Sequence, residues 1–190
     1  MRPAMISLAI MKLLPRRLQR LARDERGVSA VEFAMLLPLM VTLYLGGVEV
    51  SQGISIDRKV TLTARTVADL VSQVASINNS GMNSVLQASS AVLSPYPVDK
   101  AKVRVTLVKI DNNSNATVEW SDSLNGSARA KGSSVTLPGA LLVPNTSMVW
   151  GEVEYAYKPT VGYVVTGTMT LKDQIFMRPR LSDTITRTSS

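Results

Sequence analysis

Residues 28–50 read VSAVEFAMLLPLMVTLYLGGVEV, a run in which Glu32 and Glu49 are the only charged side chains. As an α-helix that rises about 1.5 Å per residue, this run spans roughly 34 Å. The hydrocarbon core of a bilayer is about 30 Å thick, so the run is long enough to cross it once. The stretch therefore predicts one transmembrane helix.

The cationic charge of the chain is concentrated before this run. Seven of the 21 Lys and Arg residues lie in residues 1–27 together with two acidic residues, so the rest of the chain is nearly neutral although the total charge is +7. Because basic flanks stay on the cytoplasmic side of a membrane, the N-terminus is predicted to be cytoplasmic and the C-terminal part to lie across the bilayer. A nearly neutral remainder also argues against a nucleic-acid partner.

Residues 1–27 do not follow the order of an ordinary secretory signal, in which a basic segment precedes a short apolar segment and its cleavage site. The weakly apolar stretch 5–14 is interrupted by Lys12 and followed by Pro15 and two arginines. We therefore interpret residues 1–27 as a basic cytoplasmic leader that is cleaved. The pattern is compatible with a start at Met1, Met5 or Met11.

Glu32 needs a partner, because an ionised carboxylate inside an apolar membrane helix costs on the order of 3 kcal/mol or more when unpaired. Gly27 lies five residues earlier, at the junction between the leader and the apolar run. Cleavage after Gly27 would give Val28 a new α-ammonium group and make Glu32 the fifth residue of the mature chain. The alternative is an uncut helix in which the Glu32 side chain reaches the headgroup layer beside Arg23 and Arg26.

The stretch RGVSAVEFAMLLPLM, residues 26–40, resembles the processing region of type IV prepilins, and most closely that of TadE-like minor pseudopilins of tight-adherence (Tad/Flp) pili. The resemblance implies cleavage after Gly27 by a prepilin peptidase. It also implies that Glu32 pairs with the Val28 amine of a neighbouring subunit during assembly. Phe33, where major Flp pilins usually have Tyr, and the long C-terminal part favour a minor, TadE-like subunit.

The same resemblance implies a location and partners. The chain is expected to cross the bacterial inner membrane once, with its head in the periplasm or, as part of a pilus, outside the cell. Expected partners are the prepilin peptidase, other pilins and pseudopilins, the pilus assembly machinery and the lipid bilayer. The implied function is pilus assembly and surface adhesion.

The composition excludes several kinds of catalytic group. The chain has no Cys and no His, so it has no thiol nucleophile, no imidazole base and no Cys/His zinc site. We therefore predict no catalytic residue, no metal and no cofactor. Two other hypotheses stay open: an uncleaved, signal-anchored periplasmic binding or scaffold module, and a membrane-tethered hydrolase that uses Asp or Glu.

Pro38 lies in the middle of the apolar run, where a residue without a backbone donor is expected to kink a helix. Membrane helices tolerate Pro, so a kink without a functional role is the alternative. After residue 50, apolar residues recur at helical spacing up to Ile77. The helix is thus predicted to have a transmembrane half, 28–50, and a soluble amphipathic half or stalk, 51–77.

The remaining chain is predicted to form a head domain over 78–181 and a flexible tail over 182–190. Asn78 to Gly81 should stop the long helix, and a second helix is expected over 83–93. Period-two alternation begins after Lys100 and predicts a hairpin around the turn 111–115. Further strands are predicted at 147–157, 163–171 and 173–177, with loops at 121–134 and 138–146. The fold class is α+β, with the long helix packed on a small antiparallel sheet as in type IV pilins.

Several other patterns are given structural interpretations. Glu152 and Glu154 share one strand face and are expected to be solvated rather than catalytic. The aromatic residues Trp120, Trp150, Tyr155 and Tyr157 are expected in the core or in an interface. Five Asn-x-Ser/Thr sites are interpreted as turn residues rather than glycan acceptors: Asn79, Asn113, Asn115, Asn125 and Asn145.

Overall fold

The computed structural model describes residues 25–159 and 167–189, with side chains from residue 27 onward. Residues 1–24 of the predicted leader and residues 163–166 of the strand predicted at 163–171 lie outside the described residues. The elements in chain order are α1 (Glu25–Ser72), β1 (Ser76–Ile77), α2 (Asn79–Leu93), β2 (Ala101–Ile110), β3 (Ala116–Leu124), β4 (Thr146–Tyr157), β5 (Met169–Met177) and β6 (Thr186–Arg187).

The chain divides into two compact units, one ending at Gly47 and one beginning at Val48. The described part of the first unit is the N-terminal half of α1. The second unit, called the head below, holds the rest of α1 and all the other elements.

The head contains a four-stranded antiparallel sheet with the strand order β3-β2-β4-β5. The predicted hairpin is confirmed as β2 and β3, and Glu119 is the extra residue of a bulge, since Leu107 pairs with Trp120 and Val108 with Val118. β3 runs on to Leu124, so the predicted loop at 121–134 starts later than expected.

The two strands predicted at 163–171 and 173–177 are corrected to the single strand β5. It pairs continuously with β4, from Tyr157 opposite Met169 to Val149 opposite Met177. Lys172, which separated the two predicted strands, does not interrupt β5, because it pairs with Glu154 of β4 in the ladder. The next residue, Asp173, accepts a hydrogen bond of 2.5 Å from the Thr61 hydroxyl of α1.

The predicted arrangement of a long helix on a small antiparallel sheet is confirmed. Six residues of α1 are buried in the main core, against β2 and β4: Ile56, Val60, Ala64, Val67, Ala68 and Val71. The closest approach is at Gly151 of β4, where an added Cβ would lie 2.8 Å from the Ala64 carbonyl oxygen. The helix lies so close to the sheet because this position has no side chain.

Helix α1 ends at Ser72, whereas the helical periodicity predicts an end at Ile77. The Arg180 amide donates a 2.8 Å hydrogen bond to the Ser72 carbonyl, which satisfies one of the carbonyls left open at a helix end. Ile77 instead lies in β1, which pairs with β6 in parallel. Helix α2 begins earlier than predicted, because the Asn78 side chain caps it by accepting a 2.8 Å hydrogen bond from the Gly81 amide.

Residues 178–189, called the C-terminal strap below, differ from the predicted flexible tail over 182–190. Ile185 is only 1% exposed, and its carbonyl accepts a 2.8 Å hydrogen bond from the Trp120 indole. Arg187 pairs with Asp122 of β3 at 3.0 Å. Arg180 of the strap also pairs with Asp69 of α1, so one buried apolar side chain and two ion pairs attach the strap to the rest of the head.

The sheet face opposite α1 carries a second, smaller core. Its buried members are Val108, Ile110, Ala116, Leu137, Met148 and Trp150. Residues 135–142 of the long β3–β4 connection pack over it, so both faces of the sheet are partly covered.

The asparagine sites match the turn interpretation at four of five positions. Asn125 and Asn145 adopt positive φ in loops, and Asn113 and Asn115 lie in the β2–β3 turn. Hydrogen bonds from Asn115 and then Asn113 lower the pKa of the Asp111 carboxyl in that turn. Asn79 differs, because it is the first residue of α2 and its side-chain oxygen accepts a 2.7 Å hydrogen bond from Arg187.

Candidate functional site

The described part of the first unit is an apolar helix that no other described element covers. Its large hydrophobic side chains between residues 28 and 44 are exposed on all sides, for example Phe33 at 58% and Tyr44 at 71%. The most apolar 18-residue stretch of α1 has none of its length buried, and the helix is long and apolar enough to cross a membrane. An all-round apolar helix of this kind needs lipid or other helices around it.

The residues predicted for processing and assembly lie within the first turns of this helix. Gly27 and Val28 are near its N-terminal end, and a Cβ added at Gly27 would meet nothing within 4 Å. Glu32 and Phe33 follow, and both are exposed. Within the described part of the chain, no group pairs with the Glu32 carboxylate. These four residues are therefore brought together on one short, uncovered segment.

Pro38 lies within α1, and the helix continues past it. Pro38 has no amide hydrogen, so the Ala34 carbonyl lacks its usual helical donor. The Thr42 hydroxyl donates a 2.8 Å hydrogen bond to the Pro38 carbonyl one turn later. A functional role for a kink at this position stays a prediction.

The second acidic residue of the apolar run, Glu49, belongs to the head. It is 2% exposed, and its backbone carbonyl accepts a 3.1 Å hydrogen bond from the Tyr157 hydroxyl at the end of β4. Burial raises the pKa of the Tyr157 phenol, and the charges of Glu49 and, after it, Tyr96 raise this pKa further. The head therefore covers Glu49, although Val50 and Ile54 after it are each 52% exposed.

The burial of Glu49 in the head was not predicted from the sequence. A second carboxylate in an apolar run was the available signal, since such a group must be kept out of hydrocarbon. Tyr157 lies 108 residues further along the chain, so no local pattern indicated that the head would cover Glu49.

Glu152 and Glu154 lie on the sheet face opposite α1, but their environments differ. Glu154 is exposed, as predicted. Glu152 is half-buried and accepts hydrogen bonds from both terminal nitrogens of Arg129, Nη1 and Nη2, with Nη2 to Oε1 at 2.9 Å. Arg104 Nη1 lies 3.6 Å from Glu152 Oε2. The interpretation of Glu152 as solvated is therefore corrected, because two arginines neutralise it at the sheet surface.

Arg129 connects the β3–β4 loop to this face. Its guanidinium carbon lies 3.9 Å from the centre of the Trp150 ring, in the geometry of a cation–π contact. Trp150 in turn packs against Phe176, with ring centroids 5.2 Å apart. The role of Arg129 could not be predicted from the sequence, because Arg129 lies in an aperiodic loop and meets Glu152 23 residues later.

Arg129→Ala is expected to lower the free energy of unfolding by about 1–3 kcal/mol, since it removes a bidentate pair that is half-buried and a cation–π contact. Lys131→Ala is the matched control, because Lys131 pairs with Glu119 while its side chain is 76% exposed. Its expected effect is within about 0.5 kcal/mol. Denaturant unfolding followed by tryptophan fluorescence measures both, and equal effects would contradict the role of Arg129.

The sheet face opposite α1 is in part exposed to solvent, at Glu154 and its neighbours. A shallow cavity of about 330 Å³ lies there, lined in part by Glu152, Glu154, Lys172 and Gln174. Among the described residues, no group of three or more acidic, His or Cys side chains is placed to hold a metal ion.

The comparison with protein families identifies the segment that carries the candidate site. The family model described as TadE-like protein matches residues 27–69, which lie within α1 and include Gly27, Glu32 and Phe33. No match to the chain was found among curated proteins or among solved structures. Over residues 27–69, this chain is therefore similar to TadE-like proteins.

Proposed function

We propose that the protein is a minor pseudopilin of a Tad/Flp-type pilus and takes part in pilus assembly and surface adhesion. One observation carries the proposal: an apolar helix without cover holds one carboxylate that the described chain leaves unpaired, five residues after Gly27. Its work is binding and positioning, so we assign no catalytic residue.

The proposed processing step is cleavage after Gly27 by a prepilin peptidase. The exposure of Gly27, where an added Cβ would meet nothing within 4 Å, supports this step, because a protease needs access to the residue at which it cuts. Removal of the basic leader leaves Val28 with an α-ammonium group at the start of the membrane helix.

The proposed assembly contact joins this ammonium group to Glu32 of a neighbouring subunit. Each charge alone is costly in hydrocarbon, and pairing across subunits removes both costs at once. The contact thereby sets the axial position of one helix against the next. Phe33 lies beside Glu32 and supplies apolar area to the same interface.

The proposed location is the bacterial inner membrane, crossed once, with a cytoplasmic leader and a periplasmic head that reaches the outside where the subunit enters a pilus. The proposed partners are the prepilin peptidase, other pilins and pseudopilins, the inner-membrane assembly machinery and the lipid bilayer.

Mass spectrometry of the purified mature chain, from cells with and without the prepilin peptidase, tests the processing step. With the peptidase, the N-terminus is expected at Val28; without it, the leader should remain. Gly27→Leu is expected to keep the leader even in peptidase-competent cells, because a bulky side chain replaces the residue at the cleaved bond. Recovery of an intact leader on the native chain in those cells would refute processing and favour an uncut anchor.

A further inference from the structure

The head has a distinct end at which the chain enters it, and this entry end can be located from contacts within the head. Val48 is the first residue of the head and directly follows the apolar run in sequence. The Tyr157 hydroxyl bonds to the backbone of Glu49, and a Cβ on Gly53 would lie 3.5 Å from the Tyr157 ring. The end of β4 therefore lies level with the start of the head.

Strand register extends the entry end across the sheet. Tyr157 pairs with Met169, the first residue of β5, and Tyr155 pairs with Ala101, the first residue of β2. The ends of three neighbouring strands thus meet at the level at which the chain enters the head.

Four exposed lysines occupy these strand ends. Lys100 immediately precedes β2 and Lys158 immediately follows β4. Lys102 and Lys172 flank Glu154 in one cross-strand row, which is three residues, or roughly 10 Å, from the level of Tyr157. The carboxylates among these strand-end residues are Asp99 and Glu154, so cations are in excess.

The four lysines, like Lys109, lie outside the ion pairs formed among the described residues of the head. Five cations are each within ion-pair distance of a carboxylate: Arg104, Arg129, Lys131, Arg180 and Arg187. None of the four entry-end lysines is in such a pair within the described residues. Their charge is therefore available to an external partner.

We propose that the entry-end lysines, Lys100, Lys102, Lys158 and Lys172, form a contact surface for the anionic phospholipid headgroups of the bilayer that holds this chain's own helix. The inference rests on the membrane span of the proposed function, but on neither cleavage nor pilus assembly. Chain connectivity brings this end of the head to the bilayer surface first. A lysine near an anionic surface is attracted within a Debye length, which is about 8–10 Å at physiological salt.

The test uses the full chain reconstituted into vesicles of phosphatidylglycerol and phosphatidylcholine, or of phosphatidylcholine alone. Outward-facing lysines are acetylated with a membrane-impermeant reagent and quantified by mass spectrometry. Lys109 is the internal control, because it is exposed, unpaired and on the same strand as Lys102, roughly 23 Å away. In the anionic vesicles, Lys102 and Lys172 are expected to react roughly fivefold more slowly than Lys109. The difference should disappear in phosphatidylcholine or in 1 M salt.

A charge-reversal variant gives a second readout. In Lys102→Glu/Lys172→Glu, the slow acetylation of Lys158 in anionic vesicles should be lost, whereas Lys109→Glu should preserve it. Unchanged tryptophan fluorescence confirms that both variants are folded. Equal reactivity of Lys102 and Lys109 in anionic vesicles, or equal protection in both lipids, would overturn the proposal. Flotation of the vesicles on a density gradient is measured before labelling. A chain that does not float with the vesicles would contradict the membrane span and, with it, the proposed contact.

Discussion

Replacing Gly151 by valine is expected to prevent the head from folding, and Gly151→Ala is expected to lower the free energy of unfolding by about 3 kcal/mol. A Cβ at this position would lie 2.8 Å from the Ala64 carbonyl oxygen and 3.0 Å from the Ala68 Cβ. The first of these atoms is helix backbone, so relief requires moving α1 away from the sheet. Such a shift would loosen the main core along the whole contact.

Unfolding of the detergent-solubilised chain is measured by tryptophan fluorescence, because Trp120 and Trp150 both lie in the head and are 8% exposed. Gly139→Ala is the matched control, since a Cβ at Gly139 would meet nothing within 4 Å. It is expected to change stability by less than about 0.5 kcal/mol. A native midpoint for Gly151→Ala would show that helix and sheet do not pack at this distance.

Glu32→Ala is expected to abolish pilus formation while membrane insertion is kept or improved. Insertion gains because a carboxylate is removed from an apolar helix. Assembly loses the partner of the neighbouring Val28 ammonium, and breaking a buried pair from one side costs about 3–5 kcal/mol. Since about 1.4 kcal/mol corresponds to a factor of ten in an equilibrium constant, this loss lowers the equilibrium constant for subunit assembly more than about a hundredfold.

The yield of sheared pili, set against the amount of the variant in the membrane fraction, measures this effect. Glu32→Gln tests whether charge is required, and Ser29→Ala is the control on the same uncovered segment. Both should be inserted, but only Ser29→Ala should support native pilus yield. Normal pili with Glu32→Ala would leave the chain as a simple anchor, with a head that binds or organises other envelope components.

The parts of the fold that could be predicted are those whose cause is local. Helical spacing of Val60, Val67 and Val71 indicated one buried helix face, although Ile54, expected on the same face, is 52% exposed. Alternation in β2 indicated a half-buried strand. The end of α1 could not be predicted, because the hydrogen bond at Ser72 comes from Arg180 in the strap. Ile77 continued the helical pattern and was drawn into a strand by residues more than a hundred positions away.

The same distinction applies to the candidate site. Gly27, Glu32 and Phe33 were predictable because their spacing lies within one short stretch. Arg129 and Tyr157 were not assigned their contacts, since each meets its partner across a separation that only the folded head creates.

The C-terminal strap has a consequence for export. On the proposed topology, the chain crosses the bilayer from α1 onward, so the apolar side of this helix reaches the periplasm long before the strap that bonds to its end at Ser72. Native pairing then waits for contacts of very long sequence separation, which form slowly. Emergence of the strap, rather than of the sheet, is therefore the event that completes the contacts of the head.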